Sequence, residues 1–495
     1  MMEPMDRRRL GFVVIGAALL APIALMGVVA LAYSWCVSRG LPADLMQSCN
    51  ETGRSVYLFS AVSAIRFPVL VSLAVGLSLL ASARRQQGRE AGLAGGPHSA
   101  AGLSLMAALL GVGVGLPGIV SSARTGSVGG SLDFLWNVIR KFWQGTSPYR
   151  YEEGCFGTGL EIECLGYLHS YVLLFAPFAW LPAQEAVRLW ALVNLVLVPL
   201  AAVGLTFAFR LKPFGAFLLG GVTASAGSTS VVLKNGQTSL AVLLLVVCAP
   251  LLLRNEKLAG AVAALGMFKV SLFLPFIGVL AAAKRQVLVA SIVASGLYGL
   301  FAVIWLRVSP IETLFGPLRI SSALSGSGYA SRSGGDVHRL LFDLGVEPTT
   351  LISALLGGVS VVIPWLVYRR SHDLNASIAA ASLSALILFP HYPYDYVFAL
   401  PALAFALSRG PSLASGLLVA SSSGLALSPR FVLRSVERFT GADLESARGL
   451  FVWPMESVAA IWLLSINIVS LLLVLMLANH QVSARVKRRD STLAP

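Results

Sequence analysis

The chain is 495 residues long, 56% hydrophobic and only 12% charged, with a mean hydropathy of +0.78, which excludes a soluble globular protein and marks a polytopic membrane protein. Its formal charge of +14 is no sign of nucleic-acid binding, because the basic residues gather between apolar runs, as Arg7-Arg8-Arg9, Arg84-Arg85, Lys284-Arg285, Arg369-Arg370 and Lys487-Arg488-Arg489. The positive-inside rule puts such clusters in cytoplasmic loops, so membrane lipids are expected partners and nucleic acid is not.

In chain order, residues 11–33 are long enough for a retained anchor rather than a cleaved signal peptide, and 56–81 return to a Gly-, Gln- and Arg-rich inner linker at 82–100. Residues 101–121 go out, which makes 122–165 an external loop. Within it, Phe134, Val138, Ile139, Phe142 and Trp143 recur at helical spacing while Arg140, Lys141 and Gln144 fall on other faces, predicting a helix that lies on the membrane surface. Asp133 stands at its N-terminal end, where it caps the helix, serves as a general base toward a cavity, or does both.

The apolar run 167–182 is short and ends without a basic cluster. An interfacial or re-entrant segment there, followed by an inward span at 186–209, keeps every later basic cluster in the cytoplasm. Residues 214–233 then go out and 238–253 come in, leaving Lys234-Asn235-Gly236-Gln237 outside. The run 257–283 is basic on both flanks, so a hairpin of two short helices is expected, broken near Phe268-Lys269 and Pro275, with Lys269 at its apex. Residues 286–307 lead to a Ser- and Gly-rich external loop, 308–348, that holds Arg319, Arg332, Asp336 and His338. Spans at 349–368 and 375–389 frame Pro390-His391-Tyr392-Pro393-Tyr394-Asp395-Tyr396, and 396–408, 412–428 and 456–478 bring the chain to a basic tail.

The expected fold is thus all-α and polytopic, with about 12–14 transmembrane segments and interfacial helices in the first large external loop. It divides into an N-terminal pair of helices with linker (1–100), a membrane core (101–408) and a C-terminal helical region with tail (409–495). Cys36 and Cys49 share one external loop, Cys155 and Cys164 another, and Cys248 lies in a span, which suits two local disulfides, with free thiols the alternative. No metal site is expected: the loops lack Cys-x-x-Cys, and Glu152, Glu153, Glu161 and Glu163 lack EF-hand spacing.

Ionisable residues placed at membrane depth are expensive and point to function. Asp133, Lys269, His391 and Asp395 all map to the outer end of the membrane. A carboxylate there can act as base, and a lysine with a histidine can hold a phosphate whose charge grows as it leaves. Each also has a plain reading: Lys269 snorkels, His391 is an ordinary loop histidine, Asp395 pairs with an arginine, Gln237 caps a helix.

The order of these pieces resembles glycosyltransferase family 87. Asp133-Phe134, Gly145 to Pro148-Tyr149, Phe175-Ala176-Pro177-Phe178-Ala179-Trp180-Leu181-Pro182, Ala186, Leu189-Trp190 and Leu192 to Asn194 carry the first part. Asn235-Gly236-Gln237, Leu258-Ala259-Gly260 with Gly266 and Lys269, and Pro390-His391 with Tyr396 carry the rest, over residues 101–408. The family comprises GT-C fold enzymes that include polyprenol-phosphate-mannose-dependent mannosyltransferases. The resemblance implies a GT-C-like core in the cell membrane with its site facing the periplasm or cell exterior, and inverting transfer from a polyprenyl-phosphate-linked sugar to a lipid or glycan acceptor. Asp133 would be the catalytic base, Lys269 and His391 would stabilise the departing phosphate, and Gln237, Tyr149 and Asp395 would complete the substrate site. No cofactor is implied, and the chain has no P-loop or Rossmann fingerprint. A transporter or lipid flippase is the alternative class, but the chain shows no internal repeat.

Overall fold

A computed structural model describes residues 97–129, 134–149, 164–326, 336–344, 346, 349–409, 412–426 and 463–479. The expected spans 11–33 and 56–81, the loop 429–454, Asp133, Cys36, Cys49 and Cys155 lie outside the described residues. Within them every regular element is a helix, as the hydropathy requires: in hydrocarbon, backbone N–H and C=O groups must be satisfied inside the segment.

The elements follow in order: α1 (Pro97–Gly129), α2 (Trp136–Trp143), α3 (Ser170–Leu174) with a 3-10 turn at Ala176–Phe178, and α4 (Ala183–Ala208). Next come α5 (Pro213–Ser225), α6 (Gly227–Asn235), α7 (Ser239–Leu252, with a π-helical turn at Leu244–Cys248), α8 (Glu256–Leu265), α9 (Val270–Ala283) and α10 (Arg285–Leu306). The chain continues through α11 (Pro310–Gly326), α12 (Val337–Asp343), α13 (Thr350–Ser371), α14 (Leu374–Leu388), a 3-10 stretch at Pro393–Ala399, α15 (Leu400–Ser408), α16 (Leu413–Ala426) and α17 (Leu463–Asn479). Among the described residues, Ala183–Ala208, Arg285–Leu306 and Leu351–Ser371 are long and apolar enough to cross a membrane, and shorter apolar helices accompany them. Val289, Ile292, Val293, Leu297, Leu300 and Ile304 of α10 are exposed, a face suited only to lipid.

Two compact units divide the chain. In the first, the start of α1 packs on α5 through small residues: Gly111 faces the Phe217 carbonyl and Gly221, Gly220 faces the Ala108 carbonyl, and a Cβ on Gly115 would stand 2.5 Å from Ala224 Cβ. Glycine and alanine four residues apart on facing helices let backbones approach until dispersion supplies the association that hydrophobicity cannot supply inside lipid.

The second unit, Leu116–Leu211 and Ala226 onward, contains the remaining helices and follows the same rule. A Cβ on Gly278 of α9 would strike the Val361 carbonyl of α13 and stand 3.3 Å from Pro364 Cγ. Because the obstacle is backbone, Gly278→Ala is expected to part α9 from α13 and cost about 1–3 kcal/mol, read as a lower melting temperature in detergent.

Residues 167–182, expected as an interfacial or re-entrant segment, form a five-residue helix and a single 3-10 turn, far short of the roughly 20 residues a span needs. Other expectations are corrected. The expected run 214–233 is two helices, because Ala226 is extended. Pro275 does not break the 257–283 run but sits inside α9; the break is the 3-10 turn Gly266–Phe268 with Lys269 (φ −89, ψ 77) after it. The loop 308–348 is largely helical where described, as α11 and α12.

The hairpin itself has direct geometry: Lys284 Nζ lies 4.0 Å from Glu256 Oε1, so the excursion that leaves at Glu256 closes at Lys284. Its arms of 10 and 14 residues, α8 and α9, rise about 15 and 21 Å at 1.5 Å per residue, which carries the break at Lys269 well into a membrane about 30 Å thick. Single cysteines at positions 256 and 284 are therefore expected to react from the same side of the membrane; labelling from opposite sides would refute the hairpin.

Candidate active site

The site is assembled by an aromatic cluster around α2 and α3. Phe134 is buried between Phe175 (5.8 Å between ring centroids), Phe178 (5.3 Å) and Trp190, on which it stacks at 5.8 Å and 12°. Phe175 and Tyr171 in turn contact Phe268 at 6.5 and 5.3 Å. Backbone bonds lock the arrangement: the Leu135 N–H donates to Tyr171 Oη at 2.8 Å, and Trp136 Nε1 and Trp143 Nε1 donate to the carbonyls of Leu181 and Val172. Trp305 Nε1 donates to the Phe142 carbonyl at 2.8 Å.

This changes the reading of the opening segment. Val138, Ile139 and Phe142 of α2 are buried, and the helix lays its apolar side on protein rather than on lipid, because the 167–182 segment and α10 supply the partner surface. The helix also starts later than expected. Leu135 occupies the N-cap position without a side-chain bond.

The second component is the turn after α6. Gly236 takes a left-handed conformation (φ 59, ψ 36), which glycine adopts without steric cost, and its carbonyl accepts a 2.6 Å bond from Trp190 Nε1. Gln237 follows, 1% exposed, with its N–H closing on the Val232 carbonyl at 2.9 Å. It does not cap α7, whose N-cap position is Thr238.

Beyond the turn stands the ionic core. Lys269 Nζ lies 3.1 Å from Asp395 Oδ1 and donates to Ser239 Oγ at 3.1 Å, while Ser239 donates to the same carboxylate oxygen at 2.5 Å. The second oxygen, Oδ2, accepts from the Tyr392 N–H at 3.2 Å, and the Tyr394 ring lies 4.8 Å beneath the ammonium. Both charged side chains are 7% exposed. Lys269 therefore does not snorkel, and Asp395 pairs with a lysine rather than an arginine. A buried charge must be matched, and the 390–396 loop carries a carboxylate to the hairpin apex.

His391 is the third component. Its Nδ1 lies 3.2 Å from the Phe389 carbonyl and 3.6 Å from Asp336 Oδ2, and the ring meets Tyr396 edge-on at 4.8 Å. Asp336 accepts the Arg339 N–H on Oδ1 at 2.9 Å, starting α12. Burial pushes the Asp336 carboxyl above its ordinary value, while the His391 ring, the Arg339 N–H, the His338 ring and the His391 N–H draw it back. Burial also lowers His338, against the pull of Asp336 and the Leu388 backbone; its Nε2 lies 3.2 Å from Ser353 Oγ. Among the described residues no group of His, Cys, Asp and Glu is arranged for a metal ion.

Of the residues singled out from the sequence, Lys269 and Asp395 meet directly, and His391 sits on the loop that supplies Asp395. Gln237 lies on the turn that leads to Ser239. Tyr149 packs against Gly316 of α11, with its hydroxyl raised by burial. Cys164 is disulfide-bonded and Cys248 is a buried thiol. Sequence reasoning missed Ser239 and the roles of Asp336, Trp190 and Tyr394. Ser239 follows Asn235-Gly236-Gln237 by two residues, a position that invited attention, whereas nothing local marked Asp336 among the polar residues of its loop.

Residues 170–390 match the model of glycosyltransferase family 87. The match covers the middle of the chain. Together with the apolar helices it points to a membrane glycosyltransferase, an enzyme that takes a sugar donor and an acceptor. The matched region holds Trp190, Gly236, Gln237, Ser239, Lys269 and Asp336; Phe134, His391 and Asp395 flank it. Comparison with curated proteins and with solved structures gives no match.

Proposed function

We propose that this glycosyltransferase moves a sugar, mannose in the first instance, from a polyprenyl-phosphate donor to a lipid or glycan acceptor at the outer face of the cell membrane, with inversion. The observation that carries this reading is the shared aromatic cluster: Phe134, the neighbour of Asp133, and Phe268, the neighbour of Lys269, are both packed on Phe175. A carboxylate just before one phenylalanine and an ammonium just after the other are the two groups that inverting transfer from a phosphate donor needs.

In the reaction the acceptor hydroxyl oxygen attacks the anomeric carbon as the bond from that carbon to the phosphate oxygen breaks. The electron pair leaves on the phosphate, and the hydroxyl proton passes to Asp133. Negative charge grows on the leaving phosphate, so a preorganised cation stabilises the transition state more than the ground state. Lys269, held by Asp395 and Ser239 over the Tyr394 ring, is such a cation, and His391, on the loop that supplies Asp395, is a second donor. The pairing of Lys269 with Asp395 gives the buried side chain a counter-charge before substrate arrives.

The test reconstitutes purified protein in liposomes with polyprenyl-phosphate-linked mannose and extracted lipid acceptors, and follows label into product. Transfer from the polyprenyl phosphate with inverted anomeric configuration is expected. Transfer from a nucleotide sugar but not from the polyprenyl phosphate would overturn the donor assignment, and lipid movement across the bilayer without transfer would replace the reading with the flippase alternative.

A further inference from the structure

We propose that Asp336 is a positioning residue: one carboxylate oxygen starts α12, and the other holds the His391 ring so that Nε2 faces the leaving phosphate. The inference rests on the functional reading of His391 given above. The Phe389 carbonyl, 3.2 Å from Nδ1, can only accept a hydrogen bond, so Nδ1 carries the hydrogen, and Asp336 Oδ2 at 3.6 Å lies beside the same nitrogen. The carbonyl sets the tautomer, and the Asp336 oxygen beside the same nitrogen, itself without a hydrogen bond among the described residues, biases the ring angle through charge, as a carboxylate does for other working histidines.

The opposite nitrogen is the informative one. His391 is 2% exposed, yet Nε2 finds no hydrogen-bond partner among the described residues. A buried ring nitrogen without a partner is costly to keep, and its cost is recovered when a ligand oxygen binds it. With Nδ1 turned to the Phe389 carbonyl and Asp336, Nε2 is the ring atom left to meet a ligand, and in the imidazolium form its N–H donates to a phosphate oxygen. Edge-on contact with Tyr396 prevents the ring from rotating to another angle.

Asp336 also belongs to a different part of the chain. The residue opens α12, which lies between α10 and α13 in the sequence, and its Oδ1 accepts from the N3 amide of that helix. Asp336 thereby ties this segment to the 390–396 loop, which supplies both His391 and, through Asp395, the partner of Lys269.

A simple capping role predicts the same stability effects but not the same coupling. Asp336→Asn keeps an oxygen for the α12 cap while replacing the anionic oxygen beside Nδ1, and is expected to lower turnover by about 10- to 100-fold with an unchanged melting temperature. In a His391→Gln background the same change is expected to cost nothing more. An undiminished Asp336→Asn loss in that background would overturn the proposal, as would wild-type transfer by Asp336→Asn alone. Asp336→Ser, which also caps, serves if the Asn variant fails to fold.

A second readout needs no activity. With histidine labelled by ¹⁵N in the full protein, the ring signals lost in His391→Gln identify His391, and Asp336→Asn is expected to shift them. Unshifted signals would overturn the positioning role. Wild-type transfer by His391→Gln would instead count against the functional reading of His391, while the shift still decides whether Asp336 holds the ring.

Discussion

Asp133→Asn is expected to fold normally and to transfer sugar on the order of 10²–10⁴ times more slowly than the wild type, the usual worth of a general base. The structure sharpens this expectation. Had Asp133 been the N-cap of α2, asparagine would have been the only safe replacement, because it caps about as well as aspartate. Leu135 holds that position, so Asp133→Ala is expected to fold as well and to show the same loss. Two variants that differ in capping ability but share a missing carboxylate separate chemistry from helix stability. Wild-type turnover in either well-folded variant would end the base assignment. Phe134 provides the companion control. Its ring is 1% exposed and touches three other aromatic rings, so Phe134→Ala is expected to cost about 3–5 kcal/mol of stability along with activity.

Lys269→Ala and Asp395→Ala are each expected to destabilise the protein by about 3–5 kcal/mol, since each removes one side of a buried ion pair. Melting in detergent measures it. The double variant Lys269→Met with Asp395→Leu removes both charges and keeps the volume, and is expected to melt close to the wild type. Its transfer activity is expected to stay lost, because the neutral side chains hold no leaving phosphate. A double variant that regained turnover would show the pair to be structural only. Lys269→Arg is informative in the same assay. It keeps the charge but places a planar fork where Ser239 and Asp395 converge on a point charge, so a substantial loss is expected even from this substitution.

Hydropathy and local steric rules made much of this architecture legible. The expected runs at 186–209, 286–307, 349–368 and 375–389 correspond closely to α4, α10, α13 and α14, because a long apolar run in lipid has helix as its satisfied state. The break at Lys269 was legible because basic residues flank a run too short for two full spans. The break at Lys234 to Gln237 was legible as a polar stretch between two apolar runs, whereas the left-handed backbone of Gly236 came only with the structure. Pro275 misled because a proline inside a membrane helix can be accommodated when neighbouring groups compensate. The surface-lying helix misled for a related reason: amphipathic spacing marks a face that must be covered, without saying whether lipid or protein covers it.

The sequence by itself determined an all-helical membrane protein, the positions of its main breaks, and the ionisable residues worth suspecting, because transfer to hydrocarbon and backbone satisfaction act on each segment alone. Only the tertiary structure decided their partnerships. Lys269 and Asp395 are 126 positions apart, and nothing near either residue names the other or Ser239. Asp336 stood among the polar residues of its loop without a role until the fold brought it against His391. A buried charge needs a counter-charge, but which one it finds depends on how helices distant in the chain pack, and that packing is set by the complementary surfaces of many side chains at once.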